Sequence, residues 1–264
     1  MPKTLEKNLV RDHMTTSVIS VGEDASLDDV LATLRTRDIS SVLVTDGKGA
    51  ARGVVSMTDL HRVSRFDAGH GAGPLQVLPP SLKASDVMKH PVLQIDEGAT
   101  VGEAAATLLL HHVHRIFVRR GDVITGVFST RDAMRVVLYL HDETPIRDVM
   151  TKDVVTIELG DTIDEALARL DETNVRGVVV VDGTVPVGVF TQLEAIRARA
   201  LPAPLRKNSV EEVMSYETIC LDVDTPLYRA AGHGIAMQVR RLLVVERRSL
   251  AGILSGYDLA RTLA

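Results

Sequence analysis

The chain has 264 residues, 30 of them basic and 35 acidic for a net charge of −5, with 45% hydrophobic and 25% charged. That length accommodates one large domain or two ordinary ones, and the composition is that of a globular chain, not a disordered one. Only 3% of residues are aromatic and none is Trp, so the core must come from Val, Leu, Ile, Ala and Met; base-stacking on single-stranded nucleic acid is disfavoured, and the acidic balance disfavours duplex binding. A lone Cys220 forms no intramolecular disulfide, the N-terminal MPKTLEKNLVRDHM lacks a secretory h-region, and no apolar run nears the roughly 20 residues that cross a bilayer. A cytoplasmic protein without membrane contact is expected.

Read in order, the chain repeats itself about every quarter of its length. Each copy opens on a Met with an acidic residue two places before it: VRDHM ending at Met14, ASDVM at Met88, IRDVM at Met150 and VEEVM at Met214. A short apolar strand follows, SVISV from Ser17, PVLQI from Pro91, VVTI from Val154 and TICL from Thr218. Next comes a helix start: Ser26 with Asp29, Thr100 with Glu103 and Thr162 with Glu165 form capping boxes, and Thr225 before Pro226 reads as an N-cap with proline at the first helical position. A hairpin then pairs SSVLV with GVVS, RIFV with GVFS, GVVVV with GVFT and RLLVV with GILS, with Asp46-Gly47, Gly121-Asp122 and Asp182-Gly183 at the first three turns. A second helix begins near Asp59, Asp132, Glu194 and Asp258.

One such copy buries too little surface to stand alone, so pairing is expected. The repeats span 10–63, 84–137, 146–199 and 210–263. A Gly/Pro-rich stretch within 64–83 reads as a flexible linker, whereas the other connectors are short, and the pairs form modules 10–137 and 146–264.

Where the last strand meets the last helix, every copy carries Gly, two apolar residues, Ser or Thr, and an acid three places on: Gly53, Ser56, Asp59; Gly126, Ser129, Asp132; Gly188, Thr191, Glu194; Gly252, Ser255, Asp258. The pattern is a capping box, and it is also suited to a nucleotide: the glycine permits close backbone approach, the hydroxyl stands at a helix start, and the carboxylate can accept from a ribose diol. Basic residues recur at the start of the hairpin. His114 and Arg115 begin it in the second copy, Arg240 and Arg241 in the fourth, Arg176 alone in the third, and Ser40 and Ser41 in the first. These are either solvated edge charges or phosphate ligands.

These motifs resemble cystathionine β-synthase (CBS) domains, across nearly the whole chain and in a four-repeat arrangement similar to the gamma subunit of AMP-activated protein kinase and its prokaryotic counterparts. The resemblance implies an α/β fold of four strand-helix-strand-strand-helix repeats in two pseudo-twofold tandem modules, with clefts for adenosine compounds between paired repeats. It implies one cleft with Asp132, Ser129, Arg131, His114 and Arg115, closed around the base by Thr15, Val18 and Ile19. A second would hold Asp258, Ser255, Tyr257, Arg240 and Arg241, with Thr151, Val154 and Val155. A third, of Asp59, Ser56 and Thr58, lacks the basic pair and suits a ligand with less phosphate; Glu194 departs from the pattern, and its cleft is expected to be weak or empty.

The implied role is a regulatory protein that is no enzyme, binding AMP, ADP or ATP and passing energy status to an unidentified protein partner. Alternatives are an S-adenosylmethionine sensor and a structural docking protein without ligand; a homodimer is compatible with either. His111, His112 and His114 lack the further ligands of a metal site, and Cys220 reads as a small buried hydrophobe. The basic set Arg197, Arg199, Arg206 and Lys207 reads as a solvated helix end and linker, with docking of a partner as the alternative. No P-loop or nucleophile elbow is present.

Overall fold

The computed structural model describes residues 8–37, 39–63, 65–67, 75–173, 175, 177–239 and 241–264. The chain forms two compact units, one running to Asp132 and the other spanning Ala133–Leu263. The first holds α1 (Val10–His13), β1 (Ser20–Gly22), α2 (Leu27–Thr36), β2 (Ser41–Thr45), β3 (Ala51–Ser56), α3 (Met57–Val63), β4 (Arg65–Asp67), β5 (Leu75–Val77), α4 (Ala84–Val87), β6 (Gln94–Asp96), α5 (Val101–Leu110), β7 (Arg115–Arg120) and β8 (Val123–Ser129). Helix α6 (Thr130–Leu140) leads into the second, which holds β9 (Thr156–Glu158), α7 (Ile163–Thr173), β10 (Gly177–Asp182), β11 (Val185–Thr191), α8 (Gln192–Arg199), β12 (Cys220–Asp222), α9 (Leu227–Ala236), β13 (Arg241–Glu246), β14 (Ser249–Ser255) and α10 (Gly256–Arg261). The α/β repeat is thus present four times. Each copy is preceded by a single helical turn: α1, α4, and the 3-10 turns Ile146–Asp148 and Val210–Glu212.

Every repeat makes a three-stranded sheet, ordered β1-β2-β3, β6-β7-β8, β9-β10-β11 and β12-β13-β14. The first strand runs parallel to the second, and the second and third form an antiparallel hairpin. A parallel pair needs a crossover, which α2, α5, α7 and α9 supply. The middle strands are buried over Ser41–Val44, Ile116–Val118, Val178–Val181 and Leu242–Val244, because both of their faces are covered. In the second unit the sheets of its two repeats meet through Val179 and Val181 of β10 and Leu243 of β13.

Several local expectations shift. The first strands are only three residues long and begin later than read, although Ile19, Leu93, Val155 and Ile219 each extend the ladder through one carbonyl. The second helices start two residues before the acid, at Met57, Thr130, Gln192 and Gly256, since the acid occupies the third helical position of the box. For α9 it is Pro226 that stands at the N-cap, without a side-chain bond, so Thr225 does not cap it. Cys220 is exposed, not buried, because it opens β12 at the edge of its sheet. The segment read as a flexible linker carries the antiparallel ribbon of β4 and β5, and its residues 68–74 lie outside the described ones.

The fourth hairpin turn, which has no glycine, bends through Arg247 and Arg248 at φ of 49° and 74°. This left-handed region is costly for side chains other than Gly and Asn. The first turn is instead held by Asp46, whose carboxylate accepts from the Lys48 and Ala50 N–H groups at 2.9 Å and is kept below the usual carboxylate range by those bonds.

Pairing of repeats has a specific physical basis: the opening turn of each copy is laid onto its neighbour. Val10 N–H donates to the Ala99 carbonyl and Val101 N–H to Asn8, and in the reverse sense Ala84 N–H donates to Ala25 and Ser85 N–H to Glu23. The second unit repeats this with Ile146 on Thr225, Arg147 on Val223, Val210 on Asp161 and Ile163 on Asn208. Ala84 and Val87 therefore complete the core of the first repeat, and Val210 and Met214 that of the third. A single repeat would expose these apolar groups and leave its core unfilled. Helix α6, the last element of the second repeat, packs Met134 and Leu138 against Gly234 and Gly232 of α9, and His141 stacks on Tyr228 at 3.7 Å. These contacts explain why the unit boundary falls inside that helix.

Candidate functional site

The four copies of the Gly-to-acid motif form their capping boxes. Asp59, Asp132 and Asp258 are buried to within 1–2% of full exclusion, and Glu194 retains 8% exposure. In each box the acid accepts from the backbone N–H of the hydroxyl residue: Ser56 at 3.0 Å, Ser129 at 2.8 Å, Thr191 at 2.9 Å and Ser255 at 2.7 Å. The hydroxyls donate to the same oxygens. Capping accounts for these bonds, yet it does not require a carboxylate to be buried.

What exceeds capping comes from the paired repeat. After crossing to its neighbour, the residue that follows each Met pairs antiparallel with the third strand there: Thr15 with Val127, Lys89 with Val54, Thr151 with Ile253 and Ser215 with Val189. This brings the Thr15 hydroxyl to 3.2 Å from Asp132 Oδ1 and the Thr151 hydroxyl to 2.9 Å from Asp258 Oδ1. Each of these acids thus has one oxygen committed to its own cap and the other turned to the segment from the paired repeat. Arg261 lies 3.3 Å from Asp258 Oδ1. At Asp59 the partner segment presents a cation in place of the hydroxyl, with Lys89 Nζ 3.3 Å from Oδ1 and Arg62 at 3.7 Å.

The motif glycine has a packing role between paired repeats. A Cβ on Gly53, Gly126, Gly188 or Gly252 would stand 2.5–2.7 Å from the sulfur of Met88, Met14, Met214 or Met150 respectively. The two most regular features of the repeat, its opening Met and its motif glycine, are therefore two halves of one contact between paired repeats.

Of the other expected residues, Arg131, His114 and Tyr257 are half-buried, and the His114 carbonyl accepts from Thr130 N–H at 3.0 Å. Arg115 reaches across to the first repeat, donating to the Ser41 carbonyl at 3.2 Å and to the Ser40 hydroxyl. By strand register Arg115 corresponds to Ser41, and Arg241 to Gly177; a Cβ on Gly177 would lie 3.2 Å from Arg241 Nη1. Each pair of repeats thus sets one arginine against one small residue at the same register. That complementarity was present in the sequence, but only the register reveals it. The buried Ser41 hydroxyl has no hydrogen-bond partner among the described residues. Arg176 and Arg240 lie outside the described residues.

Ile19 and Val155 turn into the cores of the first and third repeats, and Val154 packs where β10 and β13 meet. Val18 lines a cavity of about 430 Å³ with Ser20, Leu43, Thr45, Asp122 and Ile124 among its walls. Thr58 is exposed beside Asp59. Among the described residues no three His, Cys, Asp or Glu side chains gather as metal ligands, and no helix is long and apolar enough to cross a membrane.

His13, two residues before Thr15, is a further group that the sequence does not single out. Its Nε2 lies 3.0 Å from Asn8 Oδ1, and burial pushes its imidazole below the usual 6.5 against the attraction of Asp12 and Asp132. The unfolded chain takes up this proton at higher pH than the folded one, so stability is complete above 6.5 and falls as the pH drops through the lowered value. The melting temperature of the wild type is expected to fall between pH 7.5 and 5.5 by more than that of His13→Gln; equal falls would show that His13 does not contribute.

Comparison with known proteins agrees with the repeat structure. The CBS domain family model matches residues 10–65, 84–139, 146–201 and 210–264. The chain is 25% identical over 275 aligned positions to the uncharacterized protein MJ1404 of Methanocaldococcus jannaschii, covering 97% of this chain and 62% of that one. It is 30% identical over 115 positions to the CBS domain-containing protein YhcV of Bacillus subtilis, covering 44% of this chain and 82% of that protein. The chain therefore spans less than two thirds of the length of the first relative. Among solved structures, protein MJ1225 of M. jannaschii, described as an archaeal homologue of the gamma subunit of AMP-activated protein kinase, superimposes with a TM-score of 0.74 at 17% identity, covering 97% of this chain and 100% of that one. A conserved uncharacterized protein of Pyrococcus horikoshii does so with 0.70 at 18% identity and the same coverage. At these identities the likeness to the two structures is one of fold. With all four copies matched and the same order of elements in each, the chain belongs to the CBS domain family.

Proposed function

We propose that this chain is a non-catalytic, cytoplasmic regulatory protein that binds adenine nucleotides, AMP, ADP or ATP, in the clefts of Asp132 and Asp258 and reports their level to a protein partner. The observation that carries the reading is the junction of a nearly fully buried aspartate with a threonine of the paired repeat, Thr15 on Asp132 and Thr151 on Asp258. A carboxylate there can accept from a ribose diol while the partner segment bounds the base, so one ligand touches both repeats. Membership of the CBS family supports an adenosine compound. Ligand contact with two repeats at once gives differential affinity for two arrangements of the pair, the condition for moving an equilibrium.

Thermal unfolding with AMP, ADP, ATP and S-adenosylmethionine tests this reading. Saturation at a hundred times the dissociation constant stabilises by about 2.7 kcal/mol. At ~2–4 °C per kcal/mol for units of this order of size, a rise of roughly 5–10 °C is expected with the preferred ligand. No shift with any of the four at millimolar concentration sinks the proposal and leaves a docking role.

A further inference from the structure

The two units close their paired hairpins differently at the turns. In the second unit, Leu250 N–H donates to the Thr184 carbonyl at 2.8 Å and the Thr184 and Ser249 hydroxyls lie 2.9 Å apart, so the turn between β10 and β11 is tied to the start of β14. In the first unit no such bond joins Gly49 to Ile124, the residues at the matching places, among the described residues. The turn there is also wider: Asp46 N–H bonds the Ala50 carbonyl across residues 47–49, whereas Asp182 pairs with Val185 across 183–184. It is not slack, because the Asp46 carboxylate holds the Lys48 and Ala50 N–H groups at 2.9 Å. Beside it opens the cavity of about 430 Å³.

The walls of this cavity are of two kinds. Lys48 and Asp122 bring opposite charges and Ser20 and Thr45 bring hydroxyls, while Leu43 and Ile124 are aliphatic. By strand register Thr45 stands where the second unit has Val181, which packs with Val179 and Leu243 in the apolar contact of its sheets. The Thr45 hydroxyl donates to the Val21 carbonyl at 3.3 Å and keeps lone pairs that can accept. We propose that this cavity is a second small-molecule site, which takes a free aliphatic α-amino acid with its carboxylate toward Lys48, its ammonium toward Asp122 and its side chain on Leu43 and Ile124. Neither charge is in an ion pair among the described residues. A singly charged ligand answers one of them and a purely apolar ligand neither, whereas a zwitterion answers both. The volume falls in the lower part of the ~300–1,000 Å³ typical of small-molecule pockets. Asp132, Ser129 and Thr15 do not line the cavity, so the inference stands independently of the nucleotide reading.

Isothermal titration calorimetry of the full chain with L-leucine, L-isoleucine, L-valine and L-methionine tests the site. At least one of them is expected to bind, with one site per chain because the matching place in the second unit is tied shut. Lys48 and Asp122 are exposed, so Lys48→Gln and Asp122→Asn should keep the wild-type melting temperature. Each should weaken binding by about tenfold, the loss of one charge-assisted hydrogen bond. The amide and the deaminated acid of the preferred amino acid, each lacking one charge, should bind more weakly by a like factor. No binding of any of the four at millimolar concentration would overturn the inference, as would an affinity unchanged in both variants. Val18 is shared with the base side expected for the Asp132 cleft, so AMP is the competitor to add: displacement of the amino acid that Asp132→Ala abolishes would make the cavity the end of that cleft and overturn a separate site. Amino-acid binding by a chain that ignores every nucleotide would uphold this site while the nucleotide reading fails.

Discussion

Gly252→Ala and Gly188→Ala are expected to lower the melting temperature of the second unit by roughly 3–10 °C, a loss of about 1–3 kcal/mol from overpacking. A methyl on Gly252 would stand 2.7 Å from Met150 Sδ and 2.7 Å from the Thr151 carbonyl; on Gly188 it would meet Met214 Sδ at 2.7 Å and the Ser215 carbonyl at 2.8 Å. A methionine can swing aside, but these carbonyls are bonded to the third strand of the neighbouring repeat, accepting from Ile253 and Val189 N–H at 2.9 Å. Relief therefore requires the pairing of repeats to open. At Gly53 the close atoms all belong to the flexible Met88 side chain, and at Gly126 the Thr15 carbonyl is at 3.0 Å. The expected order of damage in calorimetry is Gly252 and Gly188 first, Gly126 next and Gly53 least. Equal losses at all four would show that methionine displacement, not the backbone contact, sets the cost.

The second large effect is on binding. Asp132→Ala and Asp258→Ala should each abolish one nucleotide site, and the double variant should lose the ligand-dependent rise in melting temperature altogether. Each substitution also leaves polar groups without an acceptor. At Asp258 these are the Ser255 N–H and hydroxyl and the Thr151 hydroxyl. A stability loss of about 1–3 kcal/mol is therefore expected without ligand, as for other buried donors left unpaired. A protein that uses these boxes only as helix caps would show that loss and nothing more. The decisive quantity is the difference in melting temperature with and without ligand: a shift that persists in the double variant places the ligand elsewhere. Thr151→Val, which removes only the partner's hydroxyl, should weaken binding at Asp258 without eliminating it.

Much of the fold was legible because its determinants are local. A capping box spans four residues, a hairpin declares itself within about ten, and four similar registers of both reveal the repeat even without a reference structure. The errors also have local causes. Pro226 is compatible with either N-cap or first helical position, and Cys220 sits on an apolar segment whose sheet edge cannot be known from its neighbours in sequence. The missing glycine of the fourth turn gave no warning that two arginines would adopt positive φ.

By itself the sequence determined the four copies, their strand-helix-strand-strand-helix order, the acids at the second helix starts and the need for copies to pair. Only the tertiary structure decided what the acids face. Thr15 meets Asp132 across 117 residues and Thr151 meets Asp258 across 107, joined by an opening segment that leaves its own repeat to complete another. No periodicity encodes such a partner. The same crossing made the motif glycine a seat for methionine, carried Arg115 to Ser40 and Ser41, and placed Lys89 on Asp59. Side-chain chemistry is written along the chain, but which charge answers which depends on how the backbone brings distant segments together.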